Sequence, residues 1–145
     1  MYVVDASVWV ARFSPTDAFH ADSREWIAGT IPGRAPLVEP TIVLAEVAGA
    51  LSRSAGDSNL GQQALAYLTS LPGLTFVTVD LNLAKRAGEI AAALNLRGYD
   101  ATYVALAEAE GLELVSWDSD HLSRAVSRVP VRRPSDIIAS WRSQP

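Results

Sequence analysis

Four acidic residues, Asp5, Glu46, Asp100 and Asp118, lie within or beside apolar segments of the sequence. If carboxylates of this kind converge, they repel one another, and some must bind a proton unless a cation lies between them. A site built only from oxygen ligands suits Mg²⁺ or Mn²⁺, whereas zinc prefers histidine or cysteine. The chemistry that these four residues could perform together is therefore that of a divalent metal site.

Glu46 has the strongest individual case, because the helix predicted around it is almost wholly apolar. The residues three and four positions away on either side are apolar or small, so no basic side chain lies one helical turn from the carboxylate. Burying an unpaired carboxylate is costly unless it is protonated, hydrogen-bonded or bound to a cation. Two interpretations stay open: a helix tilted so that Glu46 reaches water, or a ligand that projects from a buried helix into a cleft.

Asp5 and Asp118 each follow an apolar run that reads as a β-strand. The carboxyl edge of an open α/β sheet is where ligands bind, although either residue alone could simply cap the next helix. Asp100 begins a predicted helix, and Tyr103 and Val104 make the face beneath it apolar. Taken together, the three positions favour one shared site over three independent caps.

Hydroxyl side chains stand next to these acids in the sequence, namely Ser7, Thr102 and Ser116. Residues that hydrogen-bond to a metal ligand orient it and form its outer shell of support. We therefore expect Ser7 and Ser116, with Thr102, to hold the carboxylates in place. Asp80, by contrast, follows a strand and opens a helix, and is interpreted as a helix cap.

Other catalytic arrangements find little support. His20 and His121 lack metal-ligand spacing; His20 is expected at the surface and His121 on a helix near the site. No Ser-His-Asp order is productive, because the acid, serine and histidine of residues 118–121 are too close together. The chain contains no cysteine and no glycine-rich phosphate loop, which excludes a thiol nucleophile and disfavours a nucleotide-cofactor enzyme.

Strands and helices that would position the acids alternate along the chain. The predicted strands cover residues 2–4, 37–38, 74–79, 112–116 and 129–131. The predicted helices cover residues 6–12, 18–27, 41–54 with Pro40 in the first turn, 59–70, 80–95, 100–110, 118–126 and 134–141, with a loop at 31–36. This alternation predicts an α/β fold with a mainly parallel sheet, and the lack of a linker or repeat predicts one domain over residues 1–145.

Composition narrows the function further. The 145 residues are 49% hydrophobic and carry 12 basic against 16 acidic side chains, a net charge of −4. That balance argues against binding nucleic acid through bulk positive charge, yet Lys85 is the only lysine, and arginine suits phosphate because its planar fork makes paired hydrogen bonds. No apolar run approaches the ~20 residues of a membrane span, and no secretory signal is evident, so a cytoplasmic protein is expected.

Four segments together resemble the PIN-domain family and, within it, the VapC toxins of bacterial toxin–antitoxin pairs. They are Val3–Trp9 with its D-x-S step, Leu44–Val47 with the mid-chain glutamate, Tyr99–Ala107 with its leading aspartate, and Leu114–Asp118. The segments occur in the family's order and span most of the chain. Ser116 stands where threonine is commoner, and Asp120 adds an acid whose role as a further metal ligand is open.

The resemblance implies a three-layer α/β/α fold, Mg²⁺- or Mn²⁺-dependent cleavage of RNA, a homodimer, and a cognate antitoxin that covers the active site. The catalytic and metal-binding residues it implies are Asp5, Glu46, Asp100 and Asp118. We predict hydrolysis of RNA phosphodiester bonds by in-line attack of metal-activated water.

Phosphate contacts are predicted for Arg12, Arg86 and Arg97, because these residues flank the acidic segments in sequence. The alternative function is a PIN-like domain that binds RNA or protein without cutting it. A phosphoacceptor module of the receiver type fits poorly, since its lysine should follow a late strand and Lys85 lies within a predicted helix. A D-x-D-x-T phosphatase lacks its second aspartate here.

Overall fold

A single five-stranded sheet organises the chain in the computed structural model, which describes residues 1–31 and 36–143. Its strands are β1 (Tyr2–Val4), β2 (Leu37–Pro40), β3 (Leu74–Val77), β4 (Glu113–Val115) and β5 (Val131–Arg132). The strand order is β3-β2-β1-β4-β5, and every neighbouring pair is parallel. The parallel sheet predicted from the sequence is therefore confirmed.

Helices connect all of these strands. They are α1 (Ala6–Phe13), α2 (His20–Thr30), α3 (Ile42–Ala55), α4 (Ser58–Ser70), α5 (Leu81–Leu94), α6 (Gly98–Glu110), α7 (Ser119–Arg124) and α8 (Pro134–Arg142), with a 3₁₀ turn at Ala125–Ser127. Among residues 1–31 and 36–143, none of the helices combines the length and apolarity that crossing a bilayer requires.

The order of the strands places these helices in two layers. The chain steps outward from β1 to β2 and β3, then returns to β4 on the other side of β1. Because parallel crossovers are right-handed, this reversal puts α1 to α4 on one face of the sheet and α5 to α7 on the other. The result is the expected α/β/α sandwich, and its strand order reverses between β1 and β4, where open sheets bind ligands.

Helix α6 is the best buried of the helices and carries Asp100 in its first turn. Residues 101–107 are all buried, and the helix contacts β1, β2 and β4. Alanines at three of these seven positions allow the helix to approach the sheet closely. Asp100 therefore begins a helix that is anchored in the core.

Helices α3 and α4 pack so closely that Gly61 has no room for a side chain. A Cβ atom at Gly61 would lie 2.5 Å from the carbonyl oxygen of Ala48 and would also collide with the Ser52 hydroxyl. This contact holds α4 against the helix that carries Glu46.

Several ends of strands and helices differ from those predicted from the sequence. Pro40 was expected in the first turn of a helix but ends β2, where it pairs with Val77, and the amide of Thr41 donates to the Val77 carbonyl at 3.0 Å. A proline is tolerated at a strand end because it need not donate there. Strand β3 ends at Val77, two residues earlier than expected, and β5 begins two residues later. Residues 32–35 of the predicted 31–36 loop lie outside the described residues.

Candidate active site

A cavity of about 580 Å³ opens at the carboxyl edge of the sheet, and all four predicted acids line it. Asp5 follows β1, Asp118 follows β4, Glu46 lies on α3 and Asp100 lies on α6. Four separate elements of the fold thus bring carboxylates that lie as far apart as positions 5 and 118 to one cavity.

Asp5 is held by three hydrogen bonds that all reach the same oxygen. Its Oδ2 atom accepts from the hydroxyl of Ser7 at 2.5 Å, the amide of Ser7 at 3.2 Å and the hydroxyl of Ser116 at 3.0 Å. Asp5 is only 4% exposed. Among the described residues none donates to Oδ1, so Asp5 both caps α1 and keeps one oxygen available for another ligand. Ser7 and Ser116 occupy the supporting positions expected of them.

His121 is buried beneath these acids, and its hydrogen bonds define its role. Its Nε2 atom lies 3.0 Å from the carbonyl oxygen of Asp100, which can only accept, so Nε2 carries a proton. Its Nδ1 atom lies 3.0 Å from the Ser116 hydroxyl. An oxygen each of Asp5 and Asp100 and a nitrogen of His121 lie within 4.8 Å of one another. Both ring nitrogens are thus already engaged, as expected of a side chain that supports candidate ligands and is not one itself.

Glu46 receives a hydrogen bond from a fully buried side chain of α6. The hydroxyl of Tyr103 on α6 donates to Glu46 Oε2 at 2.5 Å. Burial raises the pKa of Glu46, the Tyr103 hydrogen bond lowers it, and the charges of Asp5 and Asp100 raise it further. Glu46 is half-buried and lines the cavity, so its side chain projects from the helix into a cleft.

Arg97 joins the other two acids. Its Nε atom donates to Asp100 Oδ2 at 2.6 Å, and its Nη2 atom donates to Asp118 Oδ2 at 3.0 Å. Burial raises the pKa of Asp100, and the Arg97 hydrogen bond only partly offsets this effect. Asp118 Oδ1 meanwhile accepts from the amides of Asp120 and His121, so it caps α7. Arg97 is therefore a counter-ion already built into the cluster, and of the three predicted arginines it alone lines the cavity.

The other two predicted arginines lie elsewhere. Arg12 packs over the ring of Tyr67 and donates to its hydroxyl at 3.1 Å, and it lines a different pocket. Arg86 forms ion pairs with Glu89 and Glu108 on α5 and α6. Both arginines are close to acidic segments in the sequence, yet neither lies at the cavity, because their side chains leave the helices on faces turned away from it.

The structure also places Asp120 and Thr102, two further polar residues considered in the sequence analysis. Asp120 does not line the cavity, and its carboxylate lies 3.4 Å from the guanidinium of Arg124. The Thr102 hydroxyl donates to the carbonyl of Gly98 at 2.9 Å, four residues earlier in its own helix, instead of to an acid. Asp80 caps α5 as expected, because its side chain accepts from the amide of Leu83.

Glu39 is an acid beside the site that the sequence analysis missed. It is fully buried near the end of β2, and the indole N–H of Trp9 donates to its Oε1 atom at 2.7 Å, while Oε2 has no partner among the described residues. Burial raises the pKa of Glu39 well above its usual range, against the Trp9 hydrogen bond, and the negative charge of Asp5 adds to the effect. Its apolar surroundings and its place at a strand end were the same signals that identified Glu46 and Asp5.

Arg53 is the second residue that was missed, and it lines the cavity. It lies seven residues after Glu46, which is about two turns of α3 and therefore the same face. The Nη1 atom of Arg53 comes within 3.0 Å of the point where a Cβ of Gly49 would be, so the absent side chain leaves room for the guanidinium to lie along the helix. The described residues include no acid in a salt bridge with Arg53.

The donor set suits a hard divalent cation. Asp5, Glu46, Asp100 and Asp118 offer only oxygen ligands, which Mg²⁺ and Mn²⁺ prefer. Burial raises the pKa of both Glu46 and Asp100, and a cation between such carboxylates stabilises their ionised forms. The cavity is also large enough to admit a substrate phosphate beside a cation.

Comparison with known proteins finds one family whose model matches most of the chain. The family model described as the PIN domain matches residues 2–127. No curated protein sequence matches the chain.

Solved structures of similar fold include three that illustrate the likeness. The Mycobacterium tuberculosis VapC20, described as a sarcin-ricin loop cleaving toxin, is 23% identical, with a TM-score of 0.75 over 85% of this chain and 94% of its own. PAE2754 from Pyrobaculum aerophilum is 22% identical, with a TM-score of 0.67 over 99% of this chain and 96% of its own. A toxin–antitoxin complex from Klebsiella pneumoniae contains a chain that is 15% identical, with a TM-score of 0.65 over 92% of this chain and 98% of its own.

Proposed function

Since the chain belongs to the PIN-domain family, we propose that it is a metal-dependent endoribonuclease and the toxin of a toxin–antitoxin pair. The observation that carries the proposal is the convergence of Asp5, Glu46, Asp100 and Asp118 on one cavity at the carboxyl edge of the sheet. A domain that only binds RNA or protein has no need of four converging acids, two of which have a pKa raised by burial.

Asp5, Asp100, Glu46 and Asp118 are the residues that would hold Mg²⁺ or Mn²⁺, directly or through water. Such ions lower the pKa of water and stabilise charge on the attacking and leaving oxygens of a phosphodiester. Ser7 and Ser116 keep the Asp5 carboxylate in one orientation. This pre-organisation is what turns a group of acids into a catalytic site.

Glu46 is the residue we expect to take the proton from the attacking water. Its Oε2 atom is occupied by the Tyr103 hydroxyl, so Oε1 is the atom available to accept. Because a bound cation would stabilise the ionised carboxylate, Glu46 would be unprotonated and able to accept a proton when the ion is in place. Attack then forms the new phosphorus–oxygen bond, the bond to the leaving oxygen breaks, and that oxygen takes a proton from solvent.

Arg53 and Arg97 are the residues we expect to contact the phosphates of the RNA. Both line the cavity, and the planar guanidinium can bind two phosphate oxygens at once. Arg97 could turn from the acids to a phosphate because its side chain is 56% exposed. These two arginines would supply the local positive charge that a chain with a net charge of −4 needs to bind RNA.

The partners we propose are a cognate antitoxin protein and a second copy of the chain. One structural neighbour is described as a toxin–antitoxin complex, and the family resemblance implies both a homodimer and an antitoxin over the active site. We place the activity in the cytoplasm, where a chain without cysteine needs no oxidising compartment.

The proposal is tested by incubating the antitoxin-free protein with structured RNAs, including a sarcin-ricin loop oligonucleotide, with Mn²⁺, Mg²⁺ or chelator. We expect metal-dependent cuts at defined positions by the wild type and at least a hundredfold slower cleavage by Asp100→Asn. Asp80→Asn makes the same chemical change at an exposed helix cap, and it should cut normally.

Two outcomes would count against the proposal. Equal cleavage by Asp100→Asn and the wild type would show that Asp100 is not part of the site. Tight RNA binding with no cleavage by folded wild type at any metal concentration would favour a domain that binds without cutting.

A further inference from the structure

A second pocket, of about 320 Å³, adjoins the candidate active site. Phe19, Asp22, Trp117, Ser119 and Arg133 are among its lining residues. Asp118 lines the acidic cavity, and the residues on either side of it in sequence line this second pocket. Because consecutive Cα atoms are only about 3.8 Å apart, the two pockets lie close enough for neighbouring nucleotides of one RNA strand to occupy both.

The pocket presents an aromatic surface. The rings of Phe19 and Trp117 are stacked, with centroids 4.2 Å apart and planes inclined by 10°. One face of Phe19 is therefore occupied, yet the residue remains 43% exposed. A large aromatic side chain left open to solvent in this way can receive another flat ring.

The aromatic pair is also held rigidly. The indole N–H of Trp117 donates to the Ser23 hydroxyl at 2.8 Å, and its backbone N–H donates to the Ser7 hydroxyl at 3.1 Å. The backbone N–H of Phe19 donates to Asp17 at 2.8 Å. Since Ser7 also donates to Asp5, the same hydroxyl that orients the candidate metal ligand fixes the position of Trp117.

The charges around the pocket favour a neutral, polar ligand. Arg133 and Asp22 supply one positive and one negative side chain, and within the described part of the chain neither forms a salt bridge. They can therefore donate to and accept from the edge of a base, whereas the carboxylate of Asp22 would repel a phosphate. Unpaired RNA bases are recognised through such stacking and edge contacts.

We propose that this pocket binds one unpaired nucleobase next to the cleaved bond of the RNA, stacked on Phe19. The proposal rests on the ribonuclease function proposed above. It adds that the substrate must be unpaired at this position, in a loop, bulge or single strand, because a base inside a helix cannot be splayed into the pocket.

The test measures RNA binding by fluorescence anisotropy in the Asp100→Asn protein, so that the probe is not cut. Phe19→Ala in this background should weaken binding by roughly five- to tenfold, Phe19→Leu nearly as much, and Phe19→Trp little. The loss should be similar at about 50 and 200 mM salt, because stacking releases no counter-ions. Arg53→Gln, the matched electrostatic control, should instead reduce the salt dependence.

A probe series with one abasic nucleotide at successive positions makes the assignment specific. At one position, removal of the base should make the parent protein and its Phe19→Ala variant bind the RNA probe with equal affinity. If Phe19→Leu binds as tightly as its parent, or no abasic position removes the effect, the ring only covers Trp117 or faces a protein, and this inference is wrong. If the parent binds no RNA and the wild type cuts none, the proposed function fails, and the inference fails with it.

Discussion

Replacing Asp100 by asparagine is expected to abolish the stabilisation that Mn²⁺ gives to the folded protein. Asp100 is 5% exposed at the start of the best buried helix, and burial raises its pKa above the ordinary value of 3.8. The folded state therefore holds the proton more tightly than the unfolded chain. The ionised carboxylate consequently destabilises the metal-free protein once the pH has risen through the raised pKa.

The size of the metal effect follows from linkage. A ligand present at a hundred times its dissociation constant stabilises the folded state by about 2.7 kcal/mol. With an unfolding entropy of about 2.1 cal/mol/K per residue, the chain of 145 residues has roughly 0.3 kcal/mol/K in total. Saturating Mn²⁺ should thus raise the Tm of the wild type by about 9 °C.

The variant should lose this shift and change little otherwise. Asparagine removes a buried charge, while Arg97 loses a partner at 2.6 Å. The Arg97 side chain is 56% exposed, so its return to water costs less than about 1 kcal/mol. We expect the metal-free Tm of Asp100→Asn to lie within about 3 °C of the wild type.

The assay is thermal unfolding followed by circular dichroism at pH 7.5, with chelator or with increasing Mn²⁺. Asp80→Asn is the control, because asparagine caps a helix as well as aspartate does and Asp80 is exposed on α5. An undiminished Mn²⁺ shift in Asp100→Asn would refute the assignment of Asp100 as a ligand. Loss of the Mn²⁺-dependent rise in Tm in Asp80→Asn as well would show that this rise does not report on the candidate site.

Three further outcomes are expected. Burial raises the pKa of Glu39 above its ordinary 4.5, so the free energy of unfolding should fall as the pH rises from that value. Glu39→Gln should reduce this fall, measured by urea unfolding at a series of pH values. An unchanged dependence on pH would contradict the raised pKa. Tyr103→Phe removes the donor to Glu46 and should slow cleavage by roughly 10- to 100-fold, while the affinity for RNA stays unchanged. A change in RNA affinity without a change in the cleavage rate would argue against a positioning role for Tyr103. Gly61→Ala should cost about 1–3 kcal/mol in urea unfolding, since its Cβ would strike a carbonyl of α3, whereas Gly88→Ala, which meets nothing within 4 Å, should be neutral or slightly stabilising; the reverse order would refute the packing argument.

The alternation of strands and helices was readable from the sequence because each signal is local. Apolar runs, helix caps and glycine stops predicted nearly every element and the parallel sheet. Pro40 was misjudged because proline suits both a helix start and a strand end, and only the non-local pairing with Val77 decided between them. Strand ends depend on partners that lie far away in the chain.

The acids of the candidate site were found because burying a charged side chain among apolar residues is costly in any fold, so each such acid needs an explanation. The same rule would have found Glu39, and helical spacing from Glu46 would have found Arg53. Arg12 and Arg86 do not line the cavity although they flank acidic segments in sequence, because a helix turns its side chains through 100° per residue and adjacency in sequence does not determine direction. The role of His121 depends on packing between α7 and α6, which no local pattern encodes.

The central place of β1 in the sheet has a consequence for biosynthesis. Strand β1 can pair with β4 only after the intervening chain has been synthesised, and the hydrogen bond between Ser116 and Asp5 joins positions 111 residues apart. Such long-range closure is slow and comes late in folding. The acidic cavity therefore cannot exist on a nascent chain that ends before β4, because such a chain lacks both Asp118 and the Ser116 hydroxyl that holds Asp5.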